Sequence, residues 1–269
     1  MRKSSPPQHI WPAEEYHKHS SVQREAAMQI LEYIKLNGDE QILDIGCGDG
    51  KITALVASRV PTGSVLGVDL SPEMINFAKN AFPENDYSNL RFSHQDVQQL
   101  NYIEKFDILF SSFALQWISN HCLFFKGAYK SLKPSGHLVA TIPLGISSAL
   151  EQSISELVSL PEWKPYFDKF SPGWNFISDI EFEQLLARHS FVPIRFTIVP
   201  HDVIFSSRKT FEEYVTPWFA YLCALPEHLK NVFFEQVIDR YLEIEPILSD
   251  EKVIFKFLRL EIIAIKATL

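Results

Sequence analysis

Apolar positions in the first half of the chain alternate between short continuous runs and a three-to-four-residue recurrence, and each change of rhythm marks a change of element. Between Val22 and Leu36, Ala26, Ile30, Leu31 and Ile34 recur at helical spacing, which predicts an amphipathic helix closing near Asn37-Gly38. Gln41 to Ile45 is a short apolar run followed by glycines, and Lys51 to Val60 resumes the helical spacing. Strand, loop and helix in that order open a βαβ unit. Ser64 to Leu70 predicts a second strand. Ser71-Pro72-Glu73 then supplies an N-cap, a proline at the first helical position and an early acid, opening a helix to about Ala81. Leu90 to His94 and Phe106 to Ser111 predict the third and fourth strands. A helix from His121 to Leu132, closed by Pro134-Ser135-Gly136, leads into a fifth strand, His137 to Pro143. The alternation of strand and helix implies a parallel, doubly wound sheet.

After Pro143 the rhythm breaks. Leu160 to Asn175 carries three prolines and two tryptophans among other aromatics, the composition of an inserted cap surface. Ser178 to Glu181 is a capping box opening a helix to about His189, followed by an extended stretch, Val192 to Ile204. Helical patterns begin near Thr210, with a kink expected at Pro217, and near Pro226. Val253 to Ile265 suits a strand returning to the sheet. Residues 1–20 are polar and rich in breakers, and predict a surface-lying arm on which His9, His17 and His19 simply sit. The expected organisation is therefore an arm (1–21), a core (22–145), a cap with late core elements (146–250) and a C-terminal strand (251–269).

Composition narrows the classes of function. With 46% apolar residues, 21 Phe and 5 Trp, a large core can be buried without disulfides or metal. A net charge of −8 would repel a nucleic-acid backbone, so DNA and RNA are poor substrates. Cys47, Cys122 and Cys223 have no metal-ligand spacing, which predicts no metal site and fits a reducing compartment. Neither an apolar leader at the N-terminus nor an apolar stretch approaching about 18 residues is found, so a cytoplasmic protein with no membrane contact is expected.

The densest chemistry lies at Leu43 to Gly50, Leu-Asp-Ile-Gly-Cys-Gly-Asp-Gly, where a buried strand meets a helix. Glycines at 46, 48 and 50 let the backbone turn sharply and approach a ligand with no Cβ in the way. A dinucleotide fingerprint reads G-x-G-x-x-G, but its third glycine would fall at Lys51, which disfavours NAD. Asp44 places a carboxylate where a cationic ligand group is welcome and a pyrophosphate is not. Asp69, 21 residues after Gly48 at the end of the second strand, can accept both hydroxyls of a ribose. Asp96, after the third strand, can accept from an exocyclic amine while Val97 covers the ring. The plainer alternative for either acid is a turn or helix cap.

The segments LDIGCGDG, GVDLSPEMI, HQDV, FDILFSSFALQWI and LKPSGHLVATIP, in that order, resemble class I S-adenosylmethionine (SAM) dependent methyltransferases over roughly residues 20–145. The resemblance implies a mostly parallel, seven-stranded Rossmann-like α/β sheet with an α-helical cap. It places Asp44, Gly46, Cys47 and Gly48 at the methionine end of the cofactor, Asp69 at the ribose, Leu70 and Met74 on the adenine face, Asp96 and Val97 at its edge, and Ser111 beside the sulfonium. The ALQW segment, the SVQ near the N-terminus and the cap are similar to small-molecule carboxyl methyltransferases of the trans-aconitate and juvenile-hormone-acid type, with malonyl-carrier methyltransferases close by. That similarity implies that Gln23 and Trp117 hold the carboxylate of a small organic acid. Amide and indole N–H groups orient a carboxylate without the ion pair that would quench its nucleophilicity.

Two other readings stand beside it: an O- or C-methyltransferase for a phenol, quinone or related metabolite, with His94 or His121 as base, and a SAM-binding protein without turnover. Lys126, Lys130 and Lys133, at roughly i, i+4 and i+7, could dock an acyl carrier protein or form a solvated helix face. Trp163, Tyr166, Phe167, Trp174, Trp218 and Tyr221 are candidates to cap the acceptor cavity. Ser-Ser-Phe-Ala stands where adenine and glutamine N-methyltransferases carry N/D-P-P-Y/F, which disfavours those acceptors.

Overall fold

In the computed structural model, which describes residues 11–248 and 250–267, one sheet contains all seven strands. They are β1 (Gln41–Ile45), β2 (Ser64–Asp69), β3 (Leu90–His94), β4 (Phe106–Ser112), β5 (Leu132–Pro143), β6 (Phe191–Phe205) and β7 (Val253–Lys266). Their order is β3-β2-β1-β4-β5-β7-β6. The pairs β1–β2, β1–β4, β2–β3 and β4–β5 are parallel, and β7 runs antiparallel to β5. Strand order reverses between β1 and β4. In an open α/β sheet, ligands bind outside the C-terminal strand ends at that point.

Both faces of the sheet are covered, as near-continuous apolar strands require. On one face, α2 (Ser21–Leu31) and α3 (Lys51–Arg59) bury Ala27, Ile30, Leu31, Ala54 and Val56 against Ile42, Phe110, Val139 and Ile263. On the other, α5 (His121–Ser131) and α8 (Asp179–Arg188) bury Phe124, Phe125, Phe182 and Leu186 against Leu109, Leu138 and Ile262. Truncating a ring such as Phe124 to Ala would cost about 3–5 kcal/mol. The elements between these are α1 (Ala13–His19), α4 (Pro72–Ala81), α6 (Ser148–Val158), α7 (Lys164–Phe167), α9 (Arg208–Val215) and α10 (Glu227–Ile244).

Several boundaries differ from the expectation, each for a local reason. The first predicted helix stops at Leu31, and Ile34 packs on the core from a turn rather than from a further helical turn. Residues 13–19 of the supposed arm are helical, and Ser20 is buried. The expectation for His9 falls outside the described residues. Strand β5 begins at Leu132 rather than His137. Leu132 pairs with Phe106, the register shifts, and pairing resumes at His137 with Ile108, so Pro134-Ser135-Gly136 is a bulge within the strand. Pro217 ends α9 instead of kinking it. Lacking an N–H, it sits in a short 3₁₀ turn, Thr216–Trp218, after the helix has closed. Ser178 makes both bonds of the predicted capping box at the start of α8.

The chain divides into two compact units. One comprises residues 13–144, 175–199 and 259–269; the other includes 145–174 and 200–258, so β6 and β7 are each split between units. Within the second unit, α6 packs on α10, and the aromatics expected to cap a cavity largely pack on one another. Trp163 meets Phe233 edge-on and donates from Nε1 to Gln236. Phe167 meets Phe233 and Tyr221, and Trp174 meets Trp218. Trp163 and Phe167 are buried in that unit's own core, whereas Tyr166 is exposed. Among the described residues, no helix is long and apolar enough to cross a membrane.

Candidate active site

Strand β1 ends in a loop whose geometry only glycine tolerates. Gly46 has φ of +70°, and a Cβ built on it would lie 2.2 Å from the Ala114 Cβ. The loop and the segment after β4 therefore pass each other at backbone contact distance. Gly48, with φ of +53°, donates its N–H to Asp69 Oδ2 at 2.9 Å, while Asp69 Oδ1 accepts from Ser71 N at 2.8 Å. One carboxylate thus ties the ends of β1 and β2 together and keeps acceptor capacity on both oxygens.

Asp44 is buried on β1 and accepts from Thr53 Oγ1 of α3 at 2.7 Å. Burial pushes its carboxyl up to about 7, and the nearby charges of Asp69 and Asp49 add to that against the opposing Thr53 bond. Burial likewise raises Asp69 despite its backbone donors. A pocket that strains to hold negative charge is one a cation would relieve. Cys47 lies between the two glycines, but its side chain packs into the core with Ile42 and Val65, and its thiol is pushed well up by burial. Its backbone, between Gly46 and Gly48, is the part of the residue left to face a ligand.

At the ends of β2 and β3 the predicted adenine residues take distinct places. Leu70 is 51% exposed, whereas Met74 is buried on α4, whose N-cap Ser71 accepts from Met74 N. Asp96 caps the 3₁₀ turn Val97–Gln99. Its Oδ1 accepts from Gln98 N and Nε2, and its Oδ2 from Gln99 Nε2. Val97 is half-buried against the core beneath. Ser111 is fully buried and donates its hydroxyl to the Ile45 carbonyl at 3.0 Å, bridging β1 and β4. That hydroxyl is engaged with backbone rather than facing open space.

The end of β4 has a different character. Ser112 donates to the Gln23 carbonyl at 3.3 Å, which fixes α2 over this strand end, and Gln23 is 5% exposed with no partner for its Oε1 among the described residues. Phe113 follows with φ of +53°, a conformation costing on the order of 1–3 kcal/mol for a side-chain-bearing residue. Its N–H donates to the Thr141 carbonyl. The chain then enters the 3₁₀ turn Leu115–Trp117, placing a half-buried Trp117 just beyond the same strand end.

Both histidines considered as bases are tied to carbonyls through Nε2, His94 to Leu70 O at 2.9 Å and His121 to Leu115 O at 3.0 Å. Burial lowers the pKa of His121. Of the supposed lysine stripe, Lys133 is not on the helix at all: it lies in β5 and pairs with Asp107 at 2.8 Å. Only Lys126 and Lys130 remain on α5.

The N-terminal helix adds residues that the sequence reading passed over. His17 Nδ1 bonds Asp49 Oδ2 at 2.7 Å, its ring lies 5.1 Å from that of Phe77, and Lys51 Nζ reaches its carbonyl. Tyr16 Cε1 would be 3.7 Å from a Cβ at Gly48. Helix α1 therefore closes over the glycine loop. Contacts between residues some thirty positions apart leave no local signal; an aromatic and two histidines on an otherwise polar helix are the hint the sequence offers.

Residues 36–170 match the family described as a methyltransferase domain. The chain belongs to that methyltransferase family. A trans-aconitate 2-methyltransferase of Rhizobium leguminosarum bv. trifolii is 25% identical to this methyltransferase over 260 residues, covering 95% of this chain and 99% of the relative. A malonyl-[acyl-carrier protein] O-methyltransferase of Priestia megaterium is 30% identical over 187 residues, covering 68% and 66%. Among solved structures, phosphoethanolamine N-methyltransferase 2 of Haemonchus contortus, in complex with S-adenosylhomocysteine, superposes with a TM-score of 0.62 at 17% identity over 95% of this chain and 57% of that one. The fold is that of a class I methyltransferase and the cofactor is SAM. The site residues fit it: the buried acid at 44 suits its cationic methionine end, Asp69 keeps acceptor capacity for ribose hydroxyls, and the cleared space at Gly46 and Gly48 suits a close backbone approach.

Proposed function

We propose that this methyltransferase esterifies the carboxylate of a small organic acid. The observation that carries the reading is Gln23, a buried neutral amide held over the end of β4 whose Oε1 has no partner among the described residues and whose N–H takes that place by a half-turn of the amide. The names of the trans-aconitate and malonyl-carrier relatives, both carboxyl acceptors, support it. In this reading Asp44 and the 46–48 backbone hold the methionine end of SAM, Asp69 the ribose, and Leu70, Met74, Asp96 and Val97 the adenine, with Ser111 buttressing the loop from below.

SAM supplies an electrophilic methyl group, which the acceptor oxygen takes while the sulfur keeps the bonding pair. The protein's part is placement. Gln23 and the Trp117 indole N–H orient the carboxylate without neutralising it, so its lone pair stays available. A carboxylic acid with an unperturbed pKa of about 4 is already ionised at neutral pH, and no general base is required. The engagement of His94 and His121 with backbone carbonyls accords with that economy. Holding the oxygen in line with the methyl group supplies the rate enhancement by orientation. Lys126 and Lys130 alone make a thin docking face for a carrier protein, which favours a free acid.

Incubation with methyl-labelled SAM and a panel of carboxylic acids tests this. A volatile label released by mild base is the expected product of ester formation. Label that stays on the product through base treatment would instead point to a phenol, carbon or nitrogen acceptor.

A further inference from the structure

Buried hydroxyls in this protein have partners almost as a rule. Ser131 and Ser153 donate to carbonyls one helical turn back at 2.7 Å, Ser111 donates to Ile45, and Thr53 to Asp44. Around the end of β4 and β5 the rule fails. Ser20 Oγ, Gln23 Oε1 and Thr141 Oγ1 are buried without a hydrogen-bond partner among the described residues, in side chains 2%, 5% and 0% exposed. Each unpaired buried group of this kind costs about 1–3 kcal/mol, so three together need an explanation.

Their placement is coherent. Ser20 and Gln23 stand one turn apart at the start of α2, with the S-x-x-Q spacing of a capping box. The box is not made: Ser20 occupies the N-cap but its side chain caps nothing. Thr141 is the register partner of Ser112, the residue whose hydroxyl bonds the Gln23 carbonyl, so the side chains of Ser112 and Thr141 point to the sheet face that α2 covers. Helix α2 packs on both β4 and β5. Two hydroxyls and one amide, all neutral, thus belong to the start of α2 and to the sheet face that this helix covers.

We infer that Ser20 and Thr141 complete an acceptor cradle with Gln23, holding the oxygen of the acceptor carboxylate that does not react; this rests on the carboxylate reading above. A carboxylate has about four lone-pair sites and takes several neutral donors at once. Both hydroxyls can donate, and a half-turn of the Gln23 amide presents its N–H in place of its oxygen without changing shape. Fixing one oxygen with three neutral donors leaves the other aligned for methyl transfer. The groups have no partner among the described residues because theirs is the substrate.

The test uses Ser20→Ala, Thr141→Val and Gln23→Ala in the full chain, assayed with whichever of hexanoate, benzoate and trans-aconitate the wild type esterifies best. Ser20→Ala and Thr141→Val should each lower acceptor kcat/KM about tenfold or more, chiefly through KM, with SAM affinity within about twofold. Neither should lower the melting temperature, since each removes a polar group unpaired in the free protein. Unchanged kinetics in both variants, with Gln23→Ala impaired, would overturn this inference alone. If Gln23→Ala is also unimpaired, or no acid on the panel is esterified, the carboxylate reading fails and this inference with it. A melting temperature several degrees lower in Thr141→Val would show the hydroxyl to be a structural partner and likewise overturn the inference.

Discussion

The C-terminal ends of β1 and β2 and those of β4 and β5 lie in the same sheet, yet they handle polar groups in opposite ways. At the first pair the side chains are ionisable carboxylates, and each already has protein donors: Thr53 for Asp44, Gly48 and Ser71 for Asp69. At the second pair they are neutral, Gln23 and Thr141, and Gln23 Oε1 and Thr141 Oγ1 have no partner among the described residues. A preassembled anionic half suits a ligand that is always the same cation. An unsatisfied neutral half suits a second molecule that arrives already charged and must remain reactive. On the proposed function, the difference separates holding the cofactor from orienting the acceptor, and it can be broken one side at a time.

The largest effect is expected at Gly46. A Cβ there would sit 2.2 Å from Ala114 in a left-handed backbone, so Gly46→Ala should abolish detectable SAM binding and methyl transfer by calorimetry and assay. Next is Asp69→Ala, which removes a charged acceptor for two hydroxyls at roughly 1.5–3 kcal/mol each and should weaken SAM by at least about a hundredfold. The pH dependence of SAM affinity follows from Asp44. A cation binds its ionised form, and that form is lost as pH falls through about 7. SAM affinity should therefore drop by up to about tenfold per unit below that pH, with proton release on binding, and Asp44→Asn should bind weakly but with a flat profile. In the free protein the sign is reversed. The folded pKa lies above the unfolded one, so this group adds stability on acidification from about 7 towards 4 and withdraws it as pH rises. The smallest change is expected for His17→Ala, which unties α1 from Asp49 and should raise the SAM Kd about threefold.

The cofactor side was legible in the sequence because its signals are local and periodic. Glycines at a strand–helix junction, and acids at the ends of successive strands, have one architecture that accounts for them. The proposed acceptor residues, Gln23 and Trp117, rest on a resemblance and not on a local pattern of this kind. Whether a buried hydroxyl has a partner depends on what packs over it, and the Ser20-x-x-Gln23 spacing reads as an ordinary cap until the fold shows the cap unmade. Helix α1 was read as an arm because its polar surface hides two residues that dock on a loop distant in sequence. Lys133 was placed on a helix because a bulge that starts the strand early leaves no mark in the apolar pattern. The second unit's aromatics were recognisable as a cluster, but their mutual packing was not, since direction is a tertiary property.

The division between the two halves is tested most directly by measuring SAM affinity and acceptor kcat/KM on one preparation of Gln23→Ala. The account predicts a SAM Kd within about twofold of wild type and an acceptor kcat/KM lower by about ten- to a hundredfold. A variant that loses both together, or neither, would contradict it.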